Sequence, residues 1–257
     1  MDWLKFYYAH PALDRLVDEV VATAERGALE EPRNRMIMGT FLGRLFAAHS
    51  DRVSGWLEAL GERLSQPGAR NTVQLAAYFS NTPEAFVWLV QESQGDLSKM
   101  QAAPDLLVAP IEEALTLDTL WAFYFATGDA RAVRRIVSVF NYLPDSGAAK
   151  AFETSEKTDE DQRRANNDRL YQAAAWSLSV LMKEHAPLLK LCEWMLDGPD
   201  LTPDERLSLG LALERAAPET WSVEIRPDED RARIRKRIGD RLEEVAKPAD
   251  KPAPVGN

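Results

Sequence analysis

The residues able to do chemistry are few. The chain holds one cysteine, Cys192, and three histidines, His10, His49 and His185. Their scatter matches no zinc signature, in which Cys and His recur at short fixed intervals, so neither a metal nor a cofactor is expected. Cys192 falls on an apolar helical face with Leu188, Leu189, Leu191 and Met195, where burial would raise the thiol pKa and silence it as a nucleophile. His185 stands seven residues earlier, about 10 Å along a straight helix and beyond hydrogen-bond reach. There is no Gly-x-Ser-x-Gly elbow, no P-loop and no dinucleotide fingerprint. Residues 162–169 supply Arg163, Asn166 or Asn167, and Arg169, which would suit an anion, but no glycine-rich loop precedes them. They read better as a charged helix surface. The balance is against an enzyme.

Three other clusters bear on binding. Residues 117–129 crowd Trp121, Phe123, Tyr124 and Phe125 onto one helix. One reading makes this a groove wall that grips a partner, lined by Trp121, Tyr124 and Asp129. The other makes it a central helix packed on both sides, the usual fate of a helix that is apolar all round. At the N-terminus Trp3, Phe6, Tyr7 and His10 share a helical face. That suits an arm docking on another chain or a lid over the first hairpin. Arg231, Arg233, Arg235, Lys236 and Arg237 place five cations in seven residues. Ile234, Ile238, Leu242 and Val245 run through them at helical spacing, so an amphipathic helix near 228–246 is expected. Acids at Asp228, Glu229, Asp230, Asp240, Glu243 and Glu244 would neutralise its field, which argues against nucleic acid as a partner.

The elements that must position these residues are helical almost throughout. Apolar residues recur at three-and-four spacing in Val17, Val20, Val21 and Ala24, in Val53, Trp56, Leu57 and Leu60, and in Val133, Ile136, Val137 and Phe140. Residues 221–225 alternate as a strand would, but they are short and have no evident partner, so an extended connector is expected. The punctuation is chemically sensible. Thr82-Pro83 and Thr202-Pro203 each offer a capping hydroxyl followed by proline in the first turn, and Glu205 completes a capping box. Thr127-Gly128-Asp129 ends one helix and begins the next.

A hairpin pattern recurs. Phe46 and Val53, Phe79 and Phe86, Ala126 and Val133, and Leu181 and Leu188 are each seven residues apart. The second members are spaced by 33, 47 and 55 residues. The fold class expected is all-α: an irregular α-solenoid of antiparallel hairpins, comparable with TPR or HEAT repeats only in architecture, with a non-repetitive bundle as the alternative.

Three stretches carry a family resemblance. They are Phe41-Leu42-Gly43-Arg44-Leu45-Phe46 with Asp51-Arg52-Val53, then Ser80-Asn81-Thr82-Pro83-Glu84-Ala85, and the segment from Leu117-Asp118-Thr119-Leu120-Trp121 to Ala126-Thr127-Gly128-Asp129. Together they resemble a group of uncharacterised bacterial all-helical proteins over roughly residues 35–215. The resemblance implies a helical-repeat fold and transfers no activity.

Of the 257 residues, 45% are hydrophobic and 28% charged, and the net charge is −10. This excludes disordered and collagen-like classes and disfavours nucleic acid and anionic membranes at long range. No stretch is apolar enough to span a bilayer. With Asp2 and no uninterrupted apolar run, the N-terminus does not read as a secretory signal. A cytoplasmic setting is expected. One helical-repeat domain is expected over 1–246, with an exposed acidic insertion at about 144–162 and a disordered proline-rich tail at 247–257. The functional expectation is an interaction or scaffold module for a peptide or protein partner, a second copy of itself included. A small-ligand protein or enzyme with a pocket near Trp121 and a structural homo-oligomer are the alternatives.

Overall fold

Helices dominate the computed structural model, which describes residues 2–92, 102–152, 158–226, 231–238 and 241–245. Among these are twelve α-helices and one small three-stranded sheet. The all-α expectation therefore holds in its coarse form. Contacts divide the chain into two compact units, Met1–Arg135 and Ile136–Asn257.

The first unit contains α1 (Asp2–Lys5), α2 (Leu16–Glu25), α3 (Pro32–Ala48), α4 (Ser50–Arg63), α5 (Pro67–Ser80), α6 (Pro83–Glu92), α7 (Ala114–Thr127) and most of α8 (Ala130–Ser138). Proline opens α3, α5 and α6, where its missing N–H costs nothing. The central packing is α3 against α5 and α7. Two glycines one helical turn apart permit the α3–α5 approach. A Cβ on Gly39 would lie 2.7 Å from that of Leu75. One on Gly43 would lie 2.7 Å from that of Phe79 and 3.0 Å from the Ala76 carbonyl oxygen. Small residues at such a crossing let backbones close to distances that larger side chains forbid. Arg33 then ties α3 to α7 through a two-pronged pair with Asp118, at 2.7 and 3.0 Å.

The N-terminal aromatics pack on their own unit. Trp3 donates its indole N–H to the Thr23 hydroxyl at 3.3 Å. Trp3 and Tyr7 both meet the Phe41 ring edge-on, at 5.4 and 5.2 Å, and Tyr8 lies 4.8 Å from Tyr124. This is the geometry of a lid.

The second unit contains a 3-10 segment Val139–Asp145, α9 (Ala148–Phe152), α10 (Asp159–Glu184), α11 (Ala186–Asp197), α12 (Pro203–Ala216) and the strands β1 (Trp221–Arg226), β2 (Arg231–Ile238) and β3 (Arg241–Glu244). Both α10 and α12 start with reciprocal capping boxes, Thr158 with Asp161 and Thr202 with Glu205. Glu205 is almost wholly buried and also accepts from the Asn141 amide at 2.9 Å, fixing α12 to the 3-10 segment. Arg206 closes the preceding turn by donating to the Leu196 and Gly198 carbonyls.

Most described residues between 144 and 162 are exposed, and the region is anchored to α10 at a few points. Asp145 takes hydrogen bonds from Asn167 at 2.8 Å and Arg164 at 2.9 Å, α9 packs on α10, and the buried Asp168 carboxylate accepts from the Ala149 N–H at the start of α9. Buried and half-buried acceptors draw these elements together because an unmatched polar group would be costly. Residues 153–157 and the tail at 247–257 lie outside the described residues.

The expectation for the basic run is corrected. The run is a strand, not the helix expected near 228–246, and residues 221–226 are its neighbour rather than a connector. The order is β1-β2-β3, antiparallel throughout, with Trp221 opposite Lys236, Val223 opposite Ile234, and Arg235 opposite Glu244. Long-range pairing decides: Trp221 and Ile234 are buried, and Ile234 fits against Gly210 of α12, whose absent Cβ would otherwise lie 2.7 Å from its Cδ1. Two of the cations are neutralised, one across strands and one by α11. Arg235 pairs with Glu224 at 3.0 Å, and Lys236 pairs with Glu193 at 3.1 Å while lying over the Trp221 ring.

Candidate interaction surface

Trp121 and Tyr124 face the interior of the first unit, 6% and 2% exposed. The α7 helix is buried from Leu117 through Ala126 apart from the half-buried Asp118. The Trp121 ring stacks on Phe125 at 5.9 Å and meets Tyr124 edge-on at 6.2 Å. Asp129 lies just beyond Gly128, whose φ of +68° ends the helix. It caps α8 by accepting from the Arg131 N–H and holds the Arg131 guanidinium at 2.6 Å. That guanidinium keeps the Asp129 carboxyl below its ordinary range. Trp121 and Tyr124 thus pack within α7, and Asp129 caps the helix that follows it. Beside them, Arg44 donates to the Phe79 carbonyl at 2.5 Å and lies over the Phe123 ring, and burial lowers its pKa.

The remaining chemical candidates are likewise occupied by structure. Cys192 is fully buried, and burial pushes its thiol up to about 12. His185 is buried at the turn between α10 and α11, and His49 rests edge-on against Trp56. Arg163 pairs with Glu160, and Arg164 with Asp145. Among the described residues no group of three or more His, Cys, Asp or Glu converges on a metal position. A shallow pocket of about 250 Å³ lies between α5 and α6, lined by Tyr78, Asn81, Thr82, Phe86 and Leu89 among others. Its described lining presents no carboxylate, histidine or cation. Phe86, an expected hairpin anchor, is 51% exposed there, while Val53, Val133 and Leu188 at the matching positions are buried.

The residues that stand out were not singled out by the sequence reading. Trp176 on α10 and Trp194 on α11 are 68% and 69% exposed. Neither ring has an aromatic or hydrogen-bond partner among the described residues. Each lies nine residues from His185, about 13 Å of helix on either side of the turn. On α10, Arg169 and Lys183 stand seven residues before and after Trp176, hence two turns away on the same stripe. On α11, Lys190 stands one turn before Trp194. All three cations are exposed and lack an ion-pair partner among the described residues. The apolar sides of both helices, with Leu178, Met182, Leu188 and Cys192, are buried. The signal available in the sequence was a lone tryptophan set off the apolar period, with cations at helical spacing around it.

Comparison of the chain with family models, curated proteins and solved structures finds no match. Among the described residues no helix is long and apolar enough to cross a membrane.

Proposed function

We propose that this protein is a cytoplasmic protein–protein interaction or scaffold module, binding a peptide or protein partner on the outer face of its helices. One observation carries the reading: Trp176 and Trp194 are both more than two-thirds exposed on consecutive helices. Large aromatic side chains anchor protein interfaces far out of proportion to their number, and an exposed indole loses no other contact when it is covered. The helices on which the pair sits are held by their buried apolar faces and by the buried Tyr171–Ser208 hydroxyl contact, so the anchors are presented on a packed frame. The α-solenoid reading is kept with it, since α10 and α11 turn directly into one another at His185; the exposure of Phe86 marks the hairpin that departs from the pattern.

The test compares the full chain with its Trp176→Ala/Trp194→Ala variant. Each is tagged, checked for unchanged helicity and melting temperature, and incubated with lysate of the cells that make it. A stoichiometric protein retained by the parent and lost by the variant is the expected result. Failure to recover any partner, with no self-association by light scattering, overturns the reading, as does capture that the variant leaves unchanged.

A further inference from the structure

We draw no further inference here: the strongest candidate, the shallow pocket between α5 and α6 that Tyr78, Asn81, Phe86 and Leu89 help to line, is an uncharged, largely apolar groove, and nothing in the structure shows what covers it.

Discussion

Two tryptophan-bearing helices of this molecule use the same residue type for opposite ends. Trp121 lies in α7 among Leu117, Leu120, Phe123 and Phe125, and every one of those side chains is buried. Trp176 lies in α10, a helix whose buried stripe runs through Leu170, Ala174, Leu178 and Met182, and it points away from that stripe at 68% exposure. The indole is identical, so its role is set by its neighbours. Where apolar residues surround it on all sides of the helix, it fills a core. Where the period of the helix sets it opposite the apolar stripe, it is left to the solvent or to a partner. Aromatic density in a sequence is thus a sign of interior packing, and the isolated aromatic is the better pointer to a surface that binds.

This contrast has measurable consequences. Trp121→Ala should destabilise the first unit by about 3–5 kcal/mol, the usual cost of emptying a large aromatic site in a core; a denaturant titration showing a loss as small as that of Trp176→Ala would break the comparison. Gly43→Val should cost about 2–3 kcal/mol, because its new side chain would press on the Phe79 Cβ and the Ala76 carbonyl and drive α3 off α5; thermal melting reads this directly.

Asp145→Asn should cost about 1 kcal/mol or less at neutral pH, since the Asn167 and Arg164 contacts it weakens stand close to solvent. Those contacts hold the Asp145 carboxyl below its ordinary value, the Asn167 amide foremost. A carboxyl whose folded-state pKa is lowered contributes fully above its unfolded value, near pH ~3.9, and the contribution fades as the pH falls through the folded value. The stability gap between parent and variant should accordingly close below about pH 4, as followed by melting at a series of pH values. Trp176→Ala and Trp194→Ala should each change stability by less than about 0.5 kcal/mol, which sharpens the contrast with Trp121 by separating binding from folding.

Local chemistry made the helices and their ends legible. The Thr202 capping box, the proline that opens α6 and the positive-φ glycine at 128 all lie where the residue types place them, because each depends only on neighbours within one turn. The strands were obscured because their determinants are remote. Ile234, Ile238, Leu242 and Val245 satisfy a helical period by coincidence, while the arginines at 231, 233, 235 and 237 satisfy a period of two. What settles the matter is β1, which offers a partner, and Gly210, which offers room for Ile234. Neither is visible within a window of local sequence. For the candidate surface, the reading of Trp121 and Tyr124 as either groove or core turned on what lies over α7. That is the N-terminal Tyr8, more than a hundred residues away in the chain.

The sole cysteine offers a clock. With its thiol enclosed and its ionisation pushed to about 12, Cys192 can be alkylated only in molecules whose second unit has transiently opened, so the labelling rate followed by mass spectrometry reports the frequency of that opening. The residue lies two positions from Trp194 on the same helix. Any peptide that engages the closed form in preference to the opened one must slow the labelling by mass action, giving a native reporter of occupancy that requires no probe to be attached to the protein.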